Sequence, residues 1–362
     1  MKHLKFLALL ALAMSAVFTS CDNDDDVWNT TGGGKVEMES PCRAFILNEG
    51  SWKKNNSNII YFDWASGKVN PSCVFTQQNG KQLGDTGNDI ITVDGNRMVV
   101  AVNVSNYVTL LDGYGVEKSR VSFESYKNLG QVRSVVEDDG IVYATSYGGY
   151  VSRLRIQGDQ LVYMDSLRVG DRPEDIAEED GKLYVTLQGT NYDDNRLAIV
   201  NSDFRTIRYV TIMKDPVKVY EEDDKIFITG YGAMYDNPWG VYDPAKGTYT
   251  ELGHASVIGV GDDVIYTANS VTDWSTHATT TTLGSYNVKT GQTNANFFKN
   301  APAEIATASV YSISVNPYDG RIYVATSDYS TDGKVYVFSD KGNYEREFSS
   351  CGLNPHKIVF LK

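Results

Sequence analysis

The sequence predicts an all-β protein, a seven-bladed propeller whose first blade is closed by the C-terminal strand. Three observations carry this: a composition rich in turn formers and tyrosine, a strand-turn-strand unit repeated at blade length, and two chain ends that complement each other. The 362 residues include 24 tyrosines and 32 glycines, a balance of β-prone side chains and turn residues. No long stretch carries helical periodicity. The unit is clearest as Val135-Val136-Glu137-Asp138-Asp139-Gly140-Ile141-Val142-Tyr143-Ala144-Thr145. It returns with Glu178-Glu179-Asp180-Gly181 at its centre and again with Glu221-Glu222-Asp223-Asp224, and weaker copies surround Asp94, Asp262 and Asp319. Asp-Gly between alternating strands marks a tight hairpin, because the turn needs positive φ. Anchored on Asp94, Asp139, Asp180, Asp223, Asp262 and Asp319, the intervals are 45, 41, 43, 39 and 57 residues. Most fall near the ~40–45 residues of a four-stranded blade, and the long one contains an insertion around Ser270 to Thr282.

The elements follow in order. Residues 1–20 read as a leader: Lys2 and Lys5, an apolar run from Phe6 to Val17, then Phe18-Thr19-Ser20 before Cys21. The run is shorter than the ~20 residues needed to span a bilayer. The arrangement resembles a bacterial lipobox, with Cys21 as the lipidated first residue of the mature chain. Asp22-Asn23-Asp24-Asp25-Asp26 resembles an acidic export tract of Bacteroidetes lipoproteins, so residues 21–41 are expected to be a flexible tether. The expected place is the extracellular face of the outer membrane, on a lipid anchor. The propeller is expected over residues 42–362. It opens with Ala44-Phe45-Ile46-Leu47, a second-type strand with no first strand before it. Third-type strands include Ile59-Ile60-Tyr61-Phe62, Tyr107-Val108-Thr109-Leu110, Leu197-Ala198-Ile199-Val200 and Val335-Tyr336-Val337-Phe338. The closing Asn354-Pro355-His356-Lys357-Ile358 matches the first-type openings Arg172-Pro173-Glu174-Asp175-Ile176 and Asp215-Pro216-Val217-Lys218-Val219. The last strand therefore supplies the missing innermost strand of the first blade and closes the ring.

Composition narrows the function classes. The formal charge of −13 becomes −15 once Lys2 and Lys5 leave with the leader. An acidic surface argues against nucleic acid, which needs Lys and Arg to neutralise phosphate. Besides Cys21 there are Cys42, Cys73 and Cys351. Three is odd, so at most one disulfide forms, and a Cys42–Cys73 bridge is available within the composite first blade. No C-x-x-C pair, no metal-ligand spacing among the histidines, and neither G-x-S-x-G nor H-E-x-x-H occurs. The acidic turns recur in register, as solvated hairpins do. No catalytic constellation and no cofactor or metal is expected.

Ligand contacts are expected on one face. In a propeller, the loops joining second to third strands and those joining successive blades share a face opposite the tight Asp-Gly turns. Here the second-to-third-strand loops are long and rich in aromatic and amide groups, around residues 48–56, 146–149, 188–194, 231–239, 271–277 and 327–331. Rings supply buried area at little entropic cost, and amides and hydroxyls set orientation. The candidate ligand-binding residues are Asn48, Trp52, Tyr147, Tyr192, Tyr231, Tyr235, Trp274 and Tyr329.

With the blades placed, the chain from about Ala44 to Phe360 resembles the YncE-like, "surface layer" propeller lipoproteins of Bacteroidetes. The pieces that carry the likeness are Leu47-Asn48-Glu49-Gly50, Leu83-Gly84-Asp85, Val315-Asn316-Pro317 with Gly320-Arg321-Ile322-Tyr323-Val324-Ala325, and the closing strand. That family includes surface proteins that capture cobalamin and hand it to a TonB-dependent transporter. The resemblance implies a non-enzymatic surface protein that binds a small-molecule nutrient, with a corrinoid as the leading ligand and such a transporter as partner. The alternatives are a protein-interaction scaffold using the same face and, less favoured, a lactonase-like or glycan-active enzyme.

Overall fold

Seven four-stranded antiparallel sheets stand in a ring around a central channel in the computed structural model, which describes residues 27–29 and 35–362. The leader, Cys21 and the acidic tract Asp22–Asp26 lie outside the described residues. Blade 1 is composite: Pro355–Leu361 is its innermost strand, followed outward by Arg43–Asn48, Asn58–Asp63 and Val69–Cys73. Blades 2 to 7 run in chain order. Their innermost strands are Gly87–Val93, Val132–Asp138, Pro173–Glu179, Pro216–Glu222, Val257–Gly261 and Ser309–Val315. The expected architecture and the expected closure are both present.

Burial explains why the repeat folds this way. Second strands are covered on both faces by neighbouring blades, so Arg97–Val102 and Ile322–Ser327 are almost wholly buried. Outer strands alternate or are exposed, as in Ile207–Thr211 and Tyr344–Ser349. The apolar core is divided into seven clusters, one between each pair of neighbouring blades. The blade 7–blade 1 cluster joins Tyr323, Ala325, Val335 and Val337 to Ala44, Phe62, Ile358 and Phe360. The ring therefore has an apolar seal at its closure point as well as hydrogen bonds.

The hairpins on the short-turn face use the predicted chemistry. Asp94, Asp139, Asp180, Asp223 and Asp263 all have positive φ, followed by Gly95, Gly140 and Gly181 in the first three. The copy at Asp319 differs, with only Gly320 in the left-handed region and its N–H donating to the Asn316 carbonyl. The long repeat interval has two sources. Val264–Asp273 and Ala278–Asn287 pair along their full length as a protruding hairpin, and residues 295–308 add a connection containing the 3-10 turn Ala303–Thr307. The packed body also begins before residue 42. Lys35–Glu37 pairs with Val27–Asn29, and Val36 and Met38 are buried in the cluster between blades 1 and 2.

The Cys42–Cys73 bridge is corrected by register. The Cys42 carbonyl accepts from the Trp64 N–H, whereas Cys73 pairs with Ile60 further along the strand. Strand Asn58–Asp63 lies between the two cysteines, which puts them about two strand spacings, ~10 Å, apart. Disulfides need Cα atoms within ~7 Å. Cys42, Cys73 and Cys351 are free thiols.

The acidic turns give the short-turn face a pH response. Burial, and then repulsion from Glu179, pushes the Glu221 carboxyl up to about 7, and Glu178, Glu179 and Glu222 are displaced upward too. A carboxyl whose folded pKa exceeds its unfolded value of 4.5 binds its proton more tightly when folded. Its stabilising effect is complete below pH 4.5 and is lost as pH rises through about 7. Glu221→Gln is therefore expected to raise Tm at pH 8 by a few degrees and to leave it unchanged at pH 5. An equal shift at both pH values in thermal melts would show that charge is not the cause.

Candidate functional site

Every inner strand starts on the long-loop face, and its second and third residues look into the mouth of the channel. In six of seven blades these positions, shifted by one residue in blade 7, carry polar or charged groups: Asn88-Asp89, Arg133-Ser134, Glu174-Asp175, Lys218, Tyr311-Ser312 and His356-Lys357. Asp89, Ser134, Asp175, Lys218, Tyr311, Ser312, His356 and Lys357 border a cavity of about 400 Å³ along the channel, which Glu178 and Glu221 also line toward the short-turn face; Asn88, Arg133 and Glu174 stand outside its wall.

The charges are engaged with one another. Arg133 makes a forked ion pair with Glu174 through Nε and Nη2, and its Nη1 donates to the Asn88 Oδ1 at 2.6 Å. The Tyr147 hydroxyl donates to the other Glu174 oxygen at 2.8 Å. Lys357 Nζ donates to Asp89 at 2.8 Å, and Asp89 also accepts from the Ser134 hydroxyl and the Val135 N–H. Lys218 Nζ sits 4.0 Å from Asp175 and 3.4 Å from His356 Nε2. Glu49 accepts from the Tyr311 hydroxyl and faces His356 Nδ1 at 3.7 Å. Glu49, Asp89, Glu174 and Asp175 thus meet Arg133, Lys218 and Lys357, with His356 as the remaining basic group.

Electrostatics fixes the protonation of this bed. Burial alone would push Asp89 up, but the Lys357 and Lys218 charges and its hydrogen bonds outweigh it and hold the carboxyl at about 2. Burial is likewise outweighed at Glu174, where Arg133 holds the carboxyl below its usual value, and at Glu49, where His356 and Tyr311 do so. Desolvation and the adjoining Glu174 push the Tyr147 hydroxyl up, and desolvation with Glu49 does the same to Tyr311. Both tyrosines are therefore neutral donors. Two acids also work as staples between blades: Asp89 bonds the Val135 N–H of the next inner strand, and Asp175 bonds the Val219 N–H.

An aromatic wall rises from this bed. The Tyr147 ring lies between the guanidinium groups of Arg133 and Arg172, 4.8 and 4.2 Å from its centroid. Arg172 also covers Tyr192 at 4.5 Å and donates to its hydroxyl. Tyr329 meets Tyr311 edge-on at 5.9 Å, and Tyr231 and Tyr329 are both close enough to Tyr311 to perturb its hydroxyl. Of the residues expected from sequence, the structure brings Tyr147, Tyr192, Tyr231 and Tyr329 to the mouth. Trp52, Tyr235 and Trp274 stand on outlying loops, 67, 75 and 80% exposed. Lys53 Nζ lies 4.0 Å over the Trp52 ring, and Trp274 caps the protruding hairpin. Asn48 is fully buried, and its amide donates to Asn58 and to the Ser350 carbonyl. That places it in the framework of blade 1. Tyr192, Tyr235 and Tyr329 have φ of 57, 56 and 62°. A bulky residue in the left-handed region costs of order 1–3 kcal/mol, and such strain concentrates at functional loops.

The sequence reading missed the charged bed and Tyr311. The signal was present in the alignment of strand openings, where Glu174-Asp175, Lys218 and His356-Lys357 occupy equivalent places. Charge at a position that should face an interior is the mark of a lined channel. Among the described residues, one group of acids is close enough to hold a cation: Glu222, Asp262 and Asp263, on the opposite face. Lys289 Nζ already contacts Asp263 at 2.5 Å.

No family model matches the chain, and no curated protein does. Solved structures do. A proposed 6-phosphogluconolactonase of Bacteroides fragilis is 11% identical, with a TM-score of 0.62 over 91% of this chain and 100% of that one. A proposed 6-phosphogluconolactonase of Bacteroides uniformis is 11% identical, with a TM-score of 0.60 over 89 and 100%. The Pan2 WD40 domain of Neurospora crassa is 10% identical, with a TM-score of 0.52 over 72 and 80%. At these identities the likeness is one of fold.

Proposed function

We propose that this protein is a cell-surface, YncE-like lipoprotein, anchored through Cys21, that binds a large, partly polar nutrient at the channel mouth. It passes that ligand to a TonB-dependent outer-membrane transporter, and a corrinoid is the leading ligand. The observation that carries the binding role is the convergence of Tyr147, Tyr192, Tyr231, Tyr311 and Tyr329 around a preorganised charged bed. Aromatic walls with fixed polar donors are what a large amphipathic ligand requires. The outlying Trp52, Tyr235 and Trp274 extend the surface to a ligand wider than the channel. The corrinoid and the transporter rest on the family resemblance.

The bed at the mouth supports binding rather than catalysis. Glu49, Asp89, Glu174 and Asp175 at the mouth are each committed to a lysine, arginine, histidine or tyrosine partner. Asp89 and Glu174 are held low, away from the range of a general acid or base, whereas Glu221, which lines the same cavity toward the short-turn face, is pushed up to about 7 by burial and the neighbouring Glu179.

Titrating the chain from Val27 with cyanocobalamin, followed by calorimetry and its visible spectrum, tests the reading. Saturable one-to-one binding is expected, and Tyr231→Ala with Tyr329→Ala should weaken it about 30-fold or more, as loss of a ring anchor costs ~2 kcal/mol. No binding removes the corrinoid. Binding that both variants leave intact removes the mouth. Co-purification of an outer-membrane protein without any small-molecule binding would favour the scaffold reading, for which the exposed Met234, Tyr235 and Trp274 are the supporting surface.

A further inference from the structure

A second recess lies outside the channel, where blade 6 meets blade 5. Outer strands elsewhere run from five to nine residues, but that of blade 6 is only Thr293–Asn294. It pairs with Tyr286 and Ser285 alone, so the third strand beyond them has no outer strand beside it. The gap is a cavity of about 210 Å³. Its floor is formed by Trp239 and Tyr286, set edge to face with centroids 5.5 Å apart.

The recess is built of neutral groups. No Asp, Glu, Lys or Arg lines it, in a chain that is 22% charged. Trp239 is only 3% exposed, yet its indole N–H has no hydrogen-bond partner among the described residues and is not sealed from water. A buried tryptophan ordinarily finds such a partner within the protein. His254 Nδ1 lies 2.7 Å from the Asp236 carbonyl, which fixes the ring proton there and leaves Nε2 as an acceptor. Asn269 accepts from Asn237 through its oxygen and retains its two amide protons. Gly284 keeps the floor open: a Cβ there would lie 3.2 Å from Thr267 Oγ1.

We propose that this recess binds one neutral, hydroxyl-bearing ring of monosaccharide size. A pyranose offers an apolar C–H face to the half-buried Tyr286 ring and alternating donors and acceptors around its edge. Trp239 and Asn269 donate to that edge, His254 accepts from it, and Thr267 and Thr282 do either. The volume lies below the ~300–1,000 Å³ of sites for drug-sized ligands, which restricts the occupant to a single ring. The uncharged lining excludes sugar phosphates and uronic acids. The recess shares no residue with the channel cavity, so this site stands apart from the proposed nutrient site.

Saturation-transfer NMR with glucose, galactose, mannose and N-acetylglucosamine, each added alone to the purified chain, tests the site. At least one sugar is expected to give a saturable signal. Trp239→Phe keeps an aromatic ring, smaller than the indole, and removes the N–H, and should weaken binding about three- to tenfold. Gly284→Val fills the recess and should abolish binding. Both variants are checked by thermal melts, and either one suffices if the other fails to fold. Tyr231→Ala, at the channel mouth, should leave the sugar signal unchanged. The proposal is overturned if none of the four sugars binds, or if binding survives in the folded variants.

Discussion

Deleting residues 355–362 is expected to abolish cooperative folding. Those eight residues contain the innermost strand of blade 1, which bonds along the whole of Arg43–Asn48. Ile358, Val359, Phe360 and Leu361 are 4, 7, 5 and 0% exposed. At ~1.5–3 kcal/mol for each buried side chain, about 6–12 kcal/mol of apolar burial disappears. That is comparable to the entire ~5–15 kcal/mol by which a folded domain is stable. The loss is also badly placed. Ile358 and Phe360 belong to the cluster shared with blade 7, while Val359 and Leu361 belong to the one shared with blade 2. The deletion removes the Ser314 staple on the Ile358 N–H, the Ser312 bond to the Pro355 carbonyl and the Lys357–Asp89 ion pair. Asp89, 3% exposed, would lose its nearest cation and keep only the more distant Lys218 as counter-charge. Removing Lys362 alone, which is exposed, should leave the melt unchanged. A sharp unfolding transition in the truncated chain would show that the ring does not depend on its closure.

The same strand shows what a single sequence reveals of this molecule. Its role was legible because a propeller constrains its ends: Ala44-Phe45-Ile46-Leu47 lacked a partner strand, and Asn354-Pro355-His356-Lys357-Ile358 had the form of one. The turns were legible because positive φ selects Asp and Gly, and Asp139-Gly140 and Asp180-Gly181 adopt it. The aromatic mouth was legible in part. Loop composition identified Tyr147, Tyr192, Tyr231 and Tyr329, but it could not tell a ring packed against an arginine from one waving in solvent. Tyr235 and Trp274 have the same local sequence character and are largely exposed. Asn48 fell in a loop by composition, yet pairing with Asn58 carries the strand one residue further and turns the amide inward. The charged bed was harder to read, because its members lie more than 40 residues apart and only blade register brings them together. Asp89 and Lys357 are 268 residues apart and 2.8 Å from each other. A single sequence holds such a pair only as two positions in a repeat, which is why aligned strand openings were the sole route to it.

Replacing Arg133 with alanine should cost about 3–5 kcal/mol at neutral pH, the usual consequence of stripping the partner from a buried charge. The Glu174 side chain is 4% exposed, and among the described residues Arg133 is its only ion-pair partner within contact distance. Tyr147 would remain as a donor, and one neutral hydrogen bond does not offset the desolvation of a carboxylate. The pH dependence identifies the mechanism. In the native protein the Glu174 carboxyl is held below 4.5, so its contribution is present above that pH and lost as pH falls. In the variant its folded pKa moves above 4.5, and the penalty grows as pH rises. The difference in urea midpoint between the two proteins should therefore be large at pH 8 and shrink toward pH 4. The double variant Arg133→Met with Glu174→Leu separates stability from recognition. Apolar side chains of similar size remove both charges at once, and most of the lost stability should return. If the mouth binds its ligand through this bed, the stable double variant should still fail to bind. Restored stability with restored binding would make the ion pair a fastening between blades 3 and 4 and nothing more. An unchanged urea midpoint in Arg133→Ala would mean that Glu174 has found water, and the bed would then be far less rigid than its hydrogen bonds imply.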